Sequence, residues 1–113
     1  MNIGSVGSTM GIPGSSVYAG TKGALNSITL TLSKELGPRK IRGNSINPGL
    51  IETEGTQTGG FTMPKTFETV LKLTPLGRIG QPEDIGRIAA FLVSDESYWI
   101  NGEIVSAAGG MTI

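Results

Sequence analysis

The chain has 113 residues with nine basic and nine acidic side chains, and it contains neither histidine nor cysteine. Without His and Cys it cannot form histidine-based catalytic triads, imidazole or thiolate zinc sites, or disulfides, and we predict no metal site. A net charge of zero gives no field that would attract nucleic acid or an anionic membrane surface, so neither is an expected partner.

Leu, Ile, Val and Phe together exceed the roughly 20% below which chains are usually disordered, so residues 1–113 are predicted to form one globular domain. The 18 glycines follow no repeat, which favours turns or backbone that approaches a ligand. The first residues do not resemble a signal peptide, and no apolar run is long enough to span a membrane. Together with the lack of cysteine, this predicts a cytoplasmic protein with no membrane partner.

In chain order, residues 2–6 are predicted to be the end of a strand, and residues 7–16 a Gly/Ser-rich loop. A helix is predicted from about Val17 to Leu36, with Ser15 or Ser16 as its cap and Gly37-Pro38 at its end. The apolar residues that recur at helical spacing are Val17, Leu25, Ile28, Leu32 and Leu36.

Strands and helices continue to alternate in the rest of the chain. Pro82 suits the first position of a helix, and Glu83 and Asp84 suit its positive end. The other predicted elements are a strand over 40–47, a loop over 49–63, a helix over 65–73 and a strand over 102–107. This alternation predicts an α/β fold with a parallel sheet of about three strands and flanking helices.

Tyr18 and Lys22 lie four residues apart in the first turns of the predicted helix, and therefore on one face of it. An ammonium beside a phenol favours the phenolate, which suits the phenol to proton transfer near neutral pH. Ser5 lies where the first strand passes into the loop and can donate to a substrate oxygen. These three residues are the candidate catalytic group. The residues alone also leave open a purely structural pair, in which a partly exposed Tyr18 packs over the aliphatic part of Lys22.

The segments around these residues closely resemble the short-chain dehydrogenase/reductase family, in particular its bacterial 3-oxoacyl-carrier-protein reductases and glucose dehydrogenases. The matching segments are Ser5, Tyr18 to Ala24, Ile41 to Thr53, Thr74 to Arg78, Gln81 to Ile85, Ala89 to Leu92, Asn101-Gly102 and Gly109 to Met111. They follow the family order with family-like spacing over essentially the whole chain.

The resemblance implies a role for each candidate residue. Tyr18 matches the family's proton donor, Lys22 the lysine that assists it and binds the nicotinamide ribose, and Ser5 the serine that polarises the substrate carbonyl. The cofactor-binding positions implied by the resemblance are Tyr18, Lys22, Pro48, Gly49, Ile51 and Thr53. The segment 55–63 and the helix after it match a substrate lid, with Phe61, Met63 and Phe67 as apolar contacts.

The family's nucleotide-binding half, with its Gly-rich phosphate-binding turn, has no match in this chain. The resemblance therefore implies a truncated, Rossmann-like, doubly wound parallel sheet: a single partial domain, the C-terminal half of the family fold. Such a fragment would have an open strand edge and exposed apolar surface, so we expect a homo-oligomer or a partner half.

The main functional hypothesis is an oxidoreductase that uses NADP or NAD and acts on a small carbonyl or alcohol substrate. A cofactor-independent esterase-like hydrolase is an alternative, with Ser5 as nucleophile and the Tyr18–Lys22 pair as base, although no G-x-S-x-G motif is present. A third alternative is an inactive truncated remnant whose motifs reflect only ancestry.

Overall fold

A computed structural model describes residues 1–59 and 64–111. Within these residues, three parallel strands form one sheet in the order β1-β2-β3. The strands are β1 (Asn2–Ile3), β2 (Ser45–Pro48) and β3 (Ile104–Ala107), and the helices are α1 (Ser16–Leu36), α2 (Glu54–Thr58), α3 (Pro64–Leu73) and α4 (Pro82–Val93). The predicted α/β class, with three parallel strands and flanking helices, is confirmed.

β2 is the central strand, and its two neighbours pair with it to different extents. β3 pairs along four positions, from Ser45↔Ile104 to Pro48↔Ala107, whereas β1 pairs at only two. The prediction of a first strand over 2–6 is wrong beyond Ile3. There the chain leaves the sheet because the Ser5 side chain caps a 3-10 turn formed by Val6–Ser8.

The predicted strand over 40–47 is wrong for residues 40–44. Lys40 adopts a left-handed backbone conformation with φ of 59°, which no strand accommodates. Arg42 and Asn44 then attach this segment through side-chain hydrogen bonds to the carbonyl of Ile100. Regular strand pairing begins only at Ser45.

The bounds of α1 agree with the prediction to within one residue, but its packing differs from what the apolar spacing implies. Val17 is 81% exposed and Ile28 is 50% exposed, whereas the buried residues of the helix are Thr29 and Ser33. Ser15 occupies the N-cap position, as predicted, but its side chain makes no capping hydrogen bond, because its hydroxyl donates to the carbonyl of Ile12 (2.7 Å). The face of α1 that meets the sheet is therefore polar.

We call the polar residues between α1 and the sheet the polar seam: Asn2, Ser45 and Asn47 of the sheet, and Asn26 and Thr29 of α1. The Asn2 amide donates to the Thr29 hydroxyl at 2.9 Å. Three buried atoms of the seam have no hydrogen-bond partner in the described residues, namely Asn26 Oδ1, Ser45 Oγ and Asn47 Oδ1. Buried polar atoms without partners cost free energy, so the seam is a weakly stabilised interface.

The second half of the chain follows the prediction more closely. α3 and α4 lie where helices were expected, and Gln81 and Asp84 form a capping box at the start of α4. The loop prediction for 49–63 is wrong over Glu54–Thr58, which form α2, and residues 60–63 lie outside the described residues. None of the helices in the described ranges is both long and apolar enough to cross a membrane.

Candidate active site

Ser5 lies just beyond the carboxyl end of β1, at the start of the 3-10 turn. Its Oγ accepts a hydrogen bond from the Gly7 N–H at 3.1 Å. The Ser5 hydroxyl proton has no acceptor among residues 1–59 and 64–111. It is therefore free to donate to a ligand oxygen.

Tyr18 and Lys22 lie one turn apart near the start of α1, as their spacing predicts. Tyr18 is half-exposed, and the Lys22 Nζ lies 5.9 Å from the centre of its ring. The same ammonium donates to the carbonyl of Ile3 at 3.0 Å. Lys22 thereby connects α1 to the end of β1 and still has two ammonium protons for other partners.

Gly7 lies close to both the Ser5 hydroxyl and the Tyr18 ring. A Cβ atom at Gly7 would lie 3.2 Å from Ser5 Oγ and 3.4 Å from Tyr18 Cε1, so a larger residue would crowd both groups. No direct hydrogen bond joins Ser5 to Tyr18 within the described part of the chain. The structure nevertheless brings Ser5, Tyr18 and Lys22 together at the carboxyl end of β1.

The segment from Pro48 to Ile51 leaves the carboxyl end of β2, at the same edge of the sheet. Gly49 packs closely on the end of β3: its N–H donates to the Ala107 carbonyl at 3.1 Å, and a Cβ at Gly49 would lie 2.9 Å from Ala108 Cα. Ile51 forms an isolated parallel bridge with Gly80. The Ile51 N–H has no acceptor among the described residues, so it can serve a ligand.

Thr53 has a structural role that the sequence did not predict. Its hydroxyl accepts a hydrogen bond from the Thr56 N–H at 3.2 Å, while the Thr53 N–H donates to the Thr56 hydroxyl at 2.8 Å. This reciprocal pair is a capping box at the start of α2. Thr53 therefore fixes the backbone that follows Ile51, whose carbonyl also accepts from the Thr56 hydroxyl (2.8 Å).

A cavity of about 340 Å³ opens between the carboxyl ends of β2 and β3 and the start of α4. Its lining includes Ile51, Leu76 and Met111, together with the ion pair of Arg78 and Asp84. Hydrogen bonds from the Arg78 guanidinium and the Gln81 N–H hold the pKa of Asp84 well below its usual range. Ser5, Tyr18 and Lys22 do not line this cavity, so it is separate from the candidate catalytic group.

The predicted lid is described only in part. Phe61 and Met63 lie outside the described residues, whereas Phe67 lies on α3 and is 38% exposed.

The sequence reasoning did not find three polar residues beneath the site: Ser8, Asn26 and Asn47. The side-chain amides of both asparagines donate to the Ser8 hydroxyl. The polar alternation of Ser45 and Asn47 along β2 is the one signal in the sequence that could have indicated a polar face below α1.

Comparison with known proteins places the chain in a family. The family model described as enoyl-(acyl carrier protein) reductase matches residues 1–112. The chain belongs to the short-chain dehydrogenase/reductase family. The predicted resemblance is thus confirmed, and Ser5, Tyr18 and Lys22 can be considered in the context of this family.

The relatives include an uncharacterised oxidoreductase of Methylorubrum extorquens, 49% identical over 98% of this chain and 45% of the relative. The 3-oxoacyl-[acyl-carrier-protein] reductase of Thermotoga maritima is 40% identical over 100% of this chain and 45% of its own. Among solved structures, a gluconate 5-dehydrogenase from Burkholderia cenocepacia in complex with NADP and tartrate has a TM-score of 0.92 and 33% identity. It is matched over 97% of this chain and 43% of that protein, so the chain spans less than half the length of these relatives.

Proposed function

We propose that this chain carries the proton-transfer residues and the nicotinamide-ribose contacts of an NADP- or NAD-dependent oxidoreductase. The observation that carries the proposal is the convergence of Ser5, Tyr18 and Lys22 at the carboxyl end of β1. Ligands of parallel α/β sheets bind beyond the carboxyl ends of the strands. Membership of a family of oxidoreductases supports the same conclusion.

In the proposed reaction a small carbonyl substrate is reduced, or the matching alcohol is oxidised. The Tyr18 hydroxyl donates a proton to the substrate oxygen during reduction, and the Ser5 hydroxyl donates a hydrogen bond to the same oxygen. Lys22 keeps a positive charge beside the Tyr18 ring. The similarity to a 3-oxoacyl-[acyl-carrier-protein] reductase and to a gluconate 5-dehydrogenase supports a carbonyl or alcohol substrate.

The donors at the sheet edge fit the nicotinamide-ribose end of the cofactor. Two protons of Lys22 suit the ribose hydroxyls, and the N–H of Ile51 suits the carboxamide oxygen, while Pro48 and Gly49 provide the adjoining surface. Thr53 supports this segment by capping α2. The bound nicotinamide would supply or accept the hydride, and NADP in the Burkholderia cenocepacia complex supports a nicotinamide cofactor.

The hydrolase alternative has no comparable support. The one described hydrogen bond of Ser5 Oγ is accepted from the Gly7 N–H. In the described residues no hydrogen bond joins Ser5 Oγ to Tyr18 or Lys22, so neither residue activates it as a nucleophile. We therefore keep the oxidoreductase as the proposed function.

We also propose that a second copy or a partner half pairs with β1. Asn2 and Gly4 direct their N–H groups to β2, so the N–H of Ile3 faces the open edge. Light scattering at micromolar concentration should detect an assembly larger than the monomer, and a stable monomer would contradict this. The cytoplasmic location remains a prediction from composition.

Calorimetry on the unmodified chain tests the cofactor proposal. NADPH or NADH should release heat on binding at up to millimolar concentration, and Lys22→Met should weaken that binding. Lys34→Met, on the last turn of the same helix, is the matched control and should bind as the unmodified chain does. No heat with either cofactor at millimolar concentration would argue against the proposal for this chain.

A further inference from the structure

The Ser8 hydroxyl lies at a junction of three segments of the site. It donates to the Ser5 carbonyl at 2.7 Å and accepts from Asn26 Nδ2 at 3.1 Å and from Asn47 Nδ2 at 3.3 Å. A hydroxyl has one proton and two lone pairs, so these three bonds use its full capacity. Ser8 is thereby bonded to the turn that carries Ser5, to α1 and to β2.

Each of these segments supplies part of the proposed active site. The turn contributes Ser5, α1 contributes Tyr18 and Lys22, and β2 ends at Pro48 and leads directly into Gly49. The side-chain oxygens of the two asparagines do not help to position them, because Asn26 Oδ1 and Asn47 Oδ1 are buried and have no hydrogen-bond partner in the described residues. Within those residues, the Ser8 hydroxyl is the only hydrogen-bond partner of both side chains.

The hydroxyl is not needed to close the turn itself. The Ser8 backbone N–H already donates to the Ser5 carbonyl at 3.1 Å. Thr9 provides a direct comparison, since its N–H and its hydroxyl both donate to the Val6 carbonyl, at 3.0 and 3.1 Å. Unlike the Ser8 hydroxyl, the Thr9 hydroxyl accepts no hydrogen bond from a side-chain amide of α1 or β2 in the described residues.

We propose that Ser8 is a positioning residue that sets the distance between Ser5 and Tyr18 by connecting the turn, α1 and β2. The inference rests on the proposed oxidoreductase function, since it assigns a role within that site. Ser8 acts through Ser5, Asn26 and Asn47 and makes no contact with the reacting atoms. Misplacement of catalytic groups by about 1 Å can cost on the order of 100-fold in rate, so this connection is important for catalysis.

NMR on the full chain tests the connection without any need for activity. Ser8→Ala should shift the side-chain amide signals of Asn26 and Asn47 and the ring signals of Tyr18. Ser8→Thr, which keeps a hydroxyl, should restore them, and Thr9→Val should leave them unchanged. If Ser8→Ala moves these signals no more than Thr9→Val does, the positioning role is wrong.

A second variant keeps the test decisive if Ser8→Ala does not fold. Asn47→Ala removes one of the three connections and leaves the turn intact. It should shift the Asn26 amide and Tyr18 ring signals. Unchanged signals in this variant would also overturn the proposal.

Kinetics provide the readout that a purely structural role would not change. With NADPH and ethyl acetoacetate, Ser8→Ala should lower kcat by about tenfold or more while KM for NADPH stays within about twofold. Ser8→Thr should recover kcat, and an unchanged kcat in Ser8→Ala would contradict the positioning role. Complete inactivity of the unmodified chain would instead count against the proposed function, and the NMR comparison would still test Ser8.

Discussion

The two flanks of β2 differ in how their polar groups are satisfied. On the β3 flank, Asn44 donates to the Ile100 carbonyl and accepts from the Glu103 N–H, both at 2.9 Å, so both ends of its amide are bonded. On the β1 flank, Asn47 is equally buried, but its Oδ1 has no partner in the described residues. The β3 flank is therefore the interface with the more complete hydrogen bonding, and the β1 flank is the weaker interface.

The candidate catalytic group belongs to the weaker flank. Ser5 follows β1, which pairs at only two positions, and Tyr18 and Lys22 lie on α1, whose apolar residues are largely exposed. Functional segments are commonly drawn from the less stable parts of a fold. The difference indicates that stability and catalysis can be altered separately by changes on the two flanks.

The largest expected effect is a loss of catalytic rate on the β1 flank without a loss of stability. Tyr18→Phe removes the proposed proton donor and should lower kcat with NADPH and ethyl acetoacetate by about 10²- to 10⁴-fold. Because Tyr18 is half-exposed and its hydroxyl has no hydrogen bond in the described residues, the urea midpoint should stay unchanged. Residual activity near that of the unmodified chain would exclude Tyr18 as the donor.

The next prediction compares the two buried asparagines directly. Asn44→Ala leaves the Glu103 N–H without its partner and should lower the free energy of unfolding by about 2–3 kcal/mol. Asn47→Ala loses one long hydrogen bond and removes an unpaired oxygen, so it should cost less than about 1 kcal/mol. Urea denaturation checks both values, and equal losses would contradict the difference between the flanks.

A third prediction compares Gly4, which follows β1, with Gly86, which lies inside α4. A Cβ at Gly4 would collide with Asn47 Oδ1 and would lie 2.9 Å from Asn26 Oδ1, so Gly4→Ala should destabilise by about 1–3 kcal/mol. Gly86 lies inside α4 with no atom within 4 Å of its Cβ position, so Gly86→Ala should stabilise by about 0.5–1 kcal/mol. Thermal unfolding of the two variants should show opposite shifts, and a stabilising Gly4→Ala would contradict the packing of the seam.

The smallest expected effect is the pH dependence of the ion pair beside the cavity. Arg78 lowers the pKa of Asp84 in the folded chain, so the stabilisation is present above the unfolded carboxyl pKa, about 4, and is lost as pH falls below it. Asp84→Asn should therefore reduce the loss of stability between pH 6 and about pH 2. Glu83→Gln is the control, since Glu83 forms no ion pair in the described residues, and an equal effect of both variants would contradict the assignment.

The sequence predicted the elements whose signals are local. Gly37-Pro38 and Pro82 marked the end of α1 and the start of α4, because capping and proline geometry act within one turn. It misjudged elements set by tertiary contacts. Residues 40–44 resemble a strand, but Lys40 and the side-chain bonds of Arg42 and Asn44 hold them outside the sheet.

The candidate site was predictable to the same extent. Ser5, Tyr18 and Lys22 follow from the resemblance and from helical spacing, and the structure brings them together. The junction at Ser8 was not predictable, since it depends on distances between segments that are far apart in the chain. The capping role of Thr53 is local, because its partner Thr56 lies three residues later, and the sequence reasoning missed it. The apolar spacing of α1 was misleading, because Val17, Ile28 and Leu32 are exposed.

The central claim is that the carboxyl edge of the sheet binds the nicotinamide-ribose end of the cofactor. An NMR titration of the full chain with reduced nicotinamide mononucleotide tests it most directly, because this probe lacks the adenine half. The account predicts shifts at Gly7, Lys22 and Ile51, with Asn44 on the β3 flank unchanged. Absence of shifts at millimolar probe, or shifts confined to the β3 flank, would contradict it.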